Sequence, residues 1–295
     1  MSGGRVPVKV EGRDLRLSNL DKVLYPEEGF TKAEVIDYYS RIAPVLLPHL
    51  RGRPLTVKRY PNGVEGPFFF EKNAPRHVPD WIRTVNVPTP GSTKDRDTID
   101  FAVIEDLPAL VFFANLAALE LHVPMWRVDG KDRPRDPDTL VFDLDPGPPA
   151  TIVECCRVAG LLRDVLDEDG LSACPKTSGS KGMQLYAPWR REDDPREYAR
   201  EVARRLESEH RDEIVSVMTK KVREGKVLID WSQNNTAKTT VAPYSLRARA
   251  RPTVSTPLTW EEVEECDDAG ELVFTAADVL ARVEEHGDLF GPVAP

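Results

Sequence analysis

The sequence predicts a mixed fold, α/β or α+β, and three observations carry that expectation. Short apolar runs (Leu140 to Asp145, Met183 to Ala187, Val227 to Trp231) have the length of strands rather than helices. Amphipathic helical spacing recurs elsewhere, as at Val35, Ile36, Tyr39 and Ile42. The 295 residues are 40% hydrophobic, enough for one large core or two lobes around a cleft. Strand order is not legible from these patterns.

The elements follow in order. Thr31 with Glu34 three residues on reads as a capping box, opening a helix that runs towards Leu50. Pro54 to Tyr60 and Pro67 to Lys72 read as strands around a turn at Pro61, Asn62 and Gly63. Leu107 to Leu121 is strongly apolar and reads as one buried helix. Leu140 to Asp145 is a strand ended by Pro146, Gly147, Pro148 and Pro149, with a helix expected from about Ile152 to Leu166. Met183 to Ala187 and Val227 to Trp231 are further strands. Thr275 to His286 is a last helix, stopped by Gly287. Pro88 to Lys94 and Gly130 to Asp138 are the expected mobile loops.

Composition excludes several classes. There is no apolar run of about 18 residues to span a membrane and no apolar segment near the N-terminus to act as a secretory signal. Cys155, Cys156, Cys174 and Cys266 form no C-x-x-C pair, and no His stands at finger spacing from them. That argues against structural zinc and disulfides and fits a reducing cytosol. The net charge of −9 argues against nucleic acid if taken alone. Its distribution softens the objection. Beyond Thr259 the only basic residues are Arg282 and His286, whereas Arg51, Arg53, Lys58 and Arg59, then Lys176 and Lys181, then Lys220 to Lys238, then Arg247, Arg249 and Arg251 cluster. A basic cleft on an acidic body can bind phosphates locally.

Asp143 and Asp145 are one residue apart on a strand, so their carboxylates share a face while Leu144 points to the core. Such a pair repels unless a cation lies between, and oxygen ligands without His or Cys suit Mg²⁺ or Mn²⁺. Asp230 ends a similar apolar strand, and a buried acid there needs a metal or a basic partner. Thr177 to Gly182 is a Gly/Ser-rich turn with Lys181, able to cradle phosphate. It is not a Walker A loop, since the spacing fails and a strand follows.

Five blocks, KRYPNGVEGPFFFEK (Lys58 to Lys72), LAALELHVPMW (Leu116 to Trp126), LVFDLDPG (Leu140 to Gly147), TSGSKGMQLY (Thr177 to Tyr186) and KVLIDWSQNNTAKTTVAPYSLRAR (Lys226 to Arg249), stand in one order. With LSNLDKVLYP (Leu17 to Pro26) they make the chain resemble the polymerase domain of bacterial ligase D, in the archaeo-eukaryotic primase superfamily. The resemblance runs nearly end to end. It implies an α+β fold with a primase-like catalytic core, central mixed and antiparallel sheets, and flanking helices around a cleft. It implies one primase-polymerase domain over 1–295, with a DNA-end-binding portion to about residue 105, a catalytic portion to about 258 and an acidic helical segment after it.

The same resemblance implies roles. Asp143, Asp145 and Asp230 would hold two metal ions, Mn²⁺ or Mg²⁺, for template-directed nucleotidyl transfer, with His122 near the catalytic centre. Ser178, Ser180, Lys181, Gln184, Gln233 and Arg247 would meet the nucleoside triphosphate, and Asn234, with Gln233 beside the third acid, would touch nucleotide or template. Lys22 and Lys32 would hold a 5′-phosphate on gapped or broken DNA, with Phe69 and Phe70 stacking at that end. The family tends to prefer ribonucleotides. Ku and a DNA ligase are the implied partners, in the bacterial cytoplasm at the nucleoid. One departure stands out: Gln184 replaces the histidine of the family's SGSKG-x-H loop. That predicts weaker triphosphate binding or slower transfer, improved by Gln184→His. No ligase-type lysine motif or nuclease module is present. The expectation is therefore a stand-alone polymerase or one domain of a longer protein.

Two rival readings remain. A haloacid-dehalogenase-type phosphatase would use Asp143 as nucleophile and Asp145 as acid/base, but Gly147 stands where its motif needs Thr or Val. A 5′-phosphate end-binding module with faded polymerase activity has Gln184 as its support.

Overall fold

Two sheets carry the architecture of the computed structural model, which describes residues 4–88 and 97–294. The chain opens with two hairpins, β1 (Val6–Val10) with β2 (Arg13–Leu17) and β3 (Val23–Tyr25) with β4 (Phe30–Thr31). Helix α1 (Lys32–Leu50) starts where the capping box places it, with Thr31 and Glu34 bonding reciprocally. Its Val35, Tyr38, Tyr39, Ile42 and Leu46 are buried. β5 (Thr56–Arg59) and β6 (Phe69–Glu71) pair antiparallel beyond a turn in which Gly63 takes φ +84°. β7 (Thr84–Pro88) and β8 (Thr98–Ala102) form another hairpin.

The apolar run from Leu107 corrects the single helix expected there. Helix α2 (Leu107–Asn115) stops, Ala117 turns at φ +57°, and the chain continues as β9 (Ala118–Val123). A run buried on every side carries no period, so helix and strand look alike in sequence. His122 therefore lies on a strand rather than after a helix.

β10 (Thr139–Pro146) leads to α3 (Ile152–Glu168), then β11 (Cys174–Thr177), β12 (Met183–Pro188), α4 (Pro195–Glu209), β13 (Ile214–Val215), β14 (Val227–Asp230), β15 (Thr240–Val241), α5 (Trp260–Glu265) and α6 (Ala276–His286). Gly287 ends α6 at φ +67°. The first sheet runs β11-β12-β10-β14-β13, antiparallel except for the parallel β13–β14 pair. The second runs β15-β9-β5-β6, antiparallel throughout, and draws strands from both sides of residue 105.

Alternation in β10 divides the first sheet by chemistry. Leu140, Phe142 and Leu144 pack with residues of α3 and α4 in one buried cluster. Burial of each contributes about 1.5–3 kcal/mol. Val141, Asp143 and Asp145 point the other way, where Val141 and Tyr186 join the core shared with α1, α2 and the second sheet. The Tyr186 hydroxyl meets Thr240 Oγ1 at 2.6 Å, a direct tie between the sheets. Residues 130–138 make an irregular connection held by Arg53, whose guanidinium donates to Asp138 at 2.7 Å. The loop expected over Pro88 to Lys94 falls, past Pro88, outside the described residues. No helix among the described residues is long and apolar enough to cross a membrane.

Candidate active site

Strand register assembles the carboxylates. Asp143 lies opposite Asp230 on β14 and opposite Gln184 on β12, and Gln184 lies opposite Lys176 on β11. Paired residues of an antiparallel ladder share a face, with Cβ atoms about 4.5–5.5 Å apart. One row therefore reads Lys176, Gln184, Asp143, Asp230, and Asp145 adds a carboxylate two residues along β10 on the same face.

Asp143 is partly exposed and accepts from Gln184 Nε2 at 2.9 Å. Burial, then the charges of Asp145 and Asp230, raise its carboxyl pKa to about 7, against the opposing pull of the Gln184 hydrogen bond and of Lys176. Asp145 is more exposed and is raised as well, by burial and by Asp230. Asp230 is buried and better served. Its Oδ1 accepts from Ser232 N at 2.9 Å and from Ser232 Oγ at 2.5 Å, and its Oδ2 accepts from Gln233 Nε2 at 2.9 Å. Lys238 Nζ stands 3.9 Å from that oxygen. Among the described residues no three His, Cys, Asp or Glu side chains are gathered tightly enough to ligate one ion. The acids are neighbours across strands, not a finished cage. Their donor chemistry, oxygen only and under mutual repulsion, nonetheless fits a hard divalent cation.

The loop from Thr177 to Gly182 is braced from within. Gly179 N bonds to Thr177 Oγ1, and Ser180 N and Gly182 N bond to Ser178 Oγ. These N–H groups, expected to cradle phosphate, are occupied by the loop's own hydroxyls. Exposed Lys181 and half-buried Ser180, with Arg249 bonded to Ser180 Oγ, are the groups left for an anion. Two glycines are required. At Gly179 (φ +65°) a Cβ would sit 2.6 Å from the Val254 carbonyl oxygen, and at Gly182 it would sit 2.0 Å from that of Leu144. An open cavity of about 610 Å³ runs along the outer side of this loop past Arg251 and Phe274, and Asp143 does not line it.

Arg247 joins the two sheets. Its guanidinium bonds to the Ser178 carbonyl and lies 3.4 Å from Glu120 of β9. Glu120 is buried, accepts from the Ala248 N–H and meets His122 Nε2 at 2.9 Å and Lys58 Nζ at 3.5 Å. Burial raises its pKa, but the His122 hydrogen bond and the charges of Arg247, His122 and Lys58 outweigh that and hold the carboxyl well below the usual range. For His122, burial outweighs the Glu120 contact and lowers the imidazole. Sequence reading missed Glu120, although its i, i+2 spacing from His122 was the available signal.

Phe70 sets its ring edge-on to His122 at 5.9 Å. Phe68, Phe69 and Phe70 are 52%, 52% and 45% exposed, so none of the three fills a core. Beside them Lys32 N donates to the Lys22 carbonyl at 2.8 Å, which places the two lysines together. Lys22 Nζ donates to Asn62 and Lys32 Nζ to the Ser18 carbonyl. Burial, then the Lys22 and Arg59 charges, lower Lys32 to about 8.

Two expected nucleotide contacts are committed elsewhere. Asn234 is buried and brackets Val141, accepting from its N–H and donating to its carbonyl. Gln184 is buried between Lys176 and Asp143. Several members of the basic clusters are likewise structural: Arg53 holds Pro124, Asp138 and Thr139, and Arg59 holds Glu71.

Known proteins match this arrangement. Residues 31–290 fit the family model described as LigD, primase-polymerase domain. The chain is 44% identical over 283 residues to the multifunctional non-homologous end joining protein LigD of Mycolicibacterium smegmatis, covering 95% of this chain and 36% of that protein. It is 31% identical over 277 residues to the bifunctional non-homologous end joining protein LigD of Bacillus subtilis, covering 92% of this chain and 43% of that one. The chain thus spans well under half the length of these relatives. The solved polymerase domain from Mycobacterium tuberculosis ligase D in complex with DNA superposes with a TM-score of 0.89 at 41% identity, covering 95% of this chain and 99% of that chain. The α+β fold, with central mixed and antiparallel sheets and flanking helices, is archaeo-eukaryotic-primase-like as expected. The chain belongs to the LigD primase-polymerase domain family.

Proposed function

We propose that the protein is a template-directed nucleotidyltransferase of DNA end joining, adding nucleotides, preferably ribonucleotides, at gaps and broken ends. The observation that carries the reading is the carboxylate row, with Asp143 and Asp230 in direct register and Asp145 beside them. A row of mutually repelling acids destabilises the fold unless a cation uses it. Asp143, Asp145 and Asp230 would hold two ions, Mg²⁺ or Mn²⁺. When bound, these would activate a primer 3′-hydroxyl and neutralise charge on the triphosphate. To hold an ion, Asp230 would release donors it now holds, Ser232 or Gln233.

The chain's own residues do the rest. Lys181, Ser180 and Arg249 meet the triphosphate at the loop, and Arg247 fixes that loop against Glu120. His122, kept in place by donating its Nε2–H to Glu120, faces the primer terminus as a neutral imidazole whose Nδ1 is left to accept one hydrogen bond. Lys22 and Lys32 receive the 5′-phosphate of the downstream strand, with Phe69 and Phe70 against its bases. This assigns end recognition to the portion before about residue 105 and transfer to the portion after it. Ku and a DNA ligase are the partners the reading implies, at the bacterial nucleoid. The end-binding-only alternative rests on Gln184, whose amide is here bonded to Asp143.

The test is extension on gapped DNA with a 5′-phosphate, Mn²⁺ and either ribo- or deoxynucleotides, beside an Asp143→Ala/Asp145→Ala control. Extension by the wild type alone supports the reading, and the nucleotide comparison reads sugar preference. Binding without extension removes it in favour of an end-binding module.

Lys32 adds a pH signature. Bound phosphate favours its ammonium, so a group near 8 when free takes up a proton on binding at higher pH. Affinity is full below pH 8 and falls as pH rises through it, by up to about tenfold per pH unit for one proton. Fluorescence anisotropy should show this slope for 5′-phosphorylated ends and not for 5′-hydroxyl ends. Equal profiles for both ends would remove Lys32 as the phosphate contact.

A further inference from the structure

Lys176 is fully buried on β11, yet among the described residues no carboxylate forms an ion pair with it. Its Nζ donates to Gln184 Oε1 at 2.6 Å and to Ser255 Oγ at 2.6 Å. Ser255 donates its single hydroxyl proton to the Thr177 carbonyl at 2.8 Å. Ser255 must therefore accept from Lys176, and an ammonium, which has no lone pair, must likewise donate to Gln184 Oε1. Gln184, with its oxygen held by Lys176, has only its NH₂ to offer Asp143, at 2.9 Å. The Tyr186 hydroxyl approaches the same oxygen at 3.4 Å and favours the same orientation.

A buried lysine is costly, since it gives up hydration and rotamer freedom. A purely structural site could fill the volume with Met or Leu at no loss. What an apolar residue cannot do is choose which end of the Gln184 amide faces Asp143. With the amide reversed, its carbonyl oxygen would confront the carboxylate and push it aside. We propose that Lys176 is a positioning residue that, through Gln184, orients the Asp143 carboxylate for the divalent cation. This rests on the metal reading given above.

The relay also accounts for the glutamine. A neutral imidazole at 184 would accept from Lys176 through one nitrogen and donate to Asp143 through the other, as the amide does with its two ends. Gln184 therefore keeps the hydrogen-bonding polarity of the family's histidine. Near-equivalence is therefore expected for Gln184→His in cation binding, a quantity separate from the gain in transfer expected on sequence grounds.

The experiment measures Mn²⁺ affinity by electron paramagnetic resonance and isothermal titration, with Tm followed in parallel and no nucleotide present. Lys176→Met and Gln184→Leu should each weaken Mn²⁺ binding about 10–100-fold, the usual cost of losing a group that orients a metal ligand. Gln184→His should stay within about threefold of the wild type by the same reasoning. A purely structural role for Lys176 would move Tm and leave affinity unchanged, and that result overturns the proposal. If Lys176→Met does not fold, Gln184→Leu decides: unchanged affinity overturns the relay. No Mn²⁺ binding by the wild type would overturn the metal reading, and the relay with it. Wild-type binding with unaltered variants sinks the relay alone.

Discussion

Asp143→Asn will lose nucleotidyl transfer by about 10³-fold or more, yet the metal-free variant will be more stable than the wild type near pH 8. The loss follows from removing a ligand that supplies several kcal/mol of charge stabilisation in the transition state. The gain follows from the row itself. The folded-state pKa of Asp143 is raised to about 7, so the folded chain retains a proton that the unfolded chain has already lost. Stability therefore falls as pH rises from about 4 towards 7, and the full cost of ionising Asp143 is present above that. Asparagine is neutral throughout and still accepts from Gln184. Its advantage should be absent near pH 4 and grow to a few degrees of Tm at pH 8, at roughly 2–4 °C per kcal/mol for a chain approaching this size. Saturating Mn²⁺ should reverse the order by stabilising only the wild type. Thermal scans at two pH values, with and without Mn²⁺, check each step. A variant less stable than wild type at pH 8 would mean Asp143 is structurally satisfied rather than repelled.

The parts of this site visible in the sequence are those whose signal is local. Asp143 and Asp145 declare a shared face because strand periodicity is two and Phe142 and Leu144 are apolar between them. The capping box at Thr31 is a three-residue signal, and the helix starts there. Relations between strands are different in kind. Lys176, Gln184, Asp143 and Asp230 form one row, but register across three strand pairs has no trace in a single sequence. In sequence Lys176 is one more member of a basic cluster, whereas in the fold it is the row's single basic residue and fully buried. Glu120 was passed over for the same reason, since its partners come from β5 and from beyond β15. The half-right reading of Leu107 to Leu121 has a local cause, in that Ala117 breaks the helix without glycine or proline to announce it. α4 was not foreseen because its sequence is mostly charged, with a narrow stripe of Ala199, Val202, Ala203 and Leu206 facing the sheet.

Phe69→Ala/Phe70→Ala should cut affinity for a 5′-phosphorylated DNA end by about 10²-fold, with little change in Tm. Strand alternation ought to bury one face of β6, yet Phe69 and Phe70 on adjacent positions are both about half exposed. Apolar rings left half in water, with Phe69 opposite Arg59, whose charge with that of Lys22 acts on Lys32, gain little from the fold and are positioned to gain from a ligand with both phosphate and π-faces. Base stacking on an aromatic ring is worth about 1–3 kcal/mol, so two rings account for the expected loss. Because neither side chain fills a core, truncation leaves no cavity, and stability should hold within about 0.5 kcal/mol. The two rings also separate by position. Phe70 touches His122, whereas Phe69 lies opposite Arg59 at the outer end of the β5–β6 pair. Phe70→Ala should therefore slow transfer at saturating DNA as well as weaken binding, while Phe69→Ala should weaken binding alone. Anisotropy with 5′-phosphate and 5′-hydroxyl ends, followed by single-turnover extension, distinguishes the two. An unchanged affinity in the double variant would assign the exposed rings to a protein partner instead of DNA, and would leave Lys22 and Lys32 to hold the phosphate unaided.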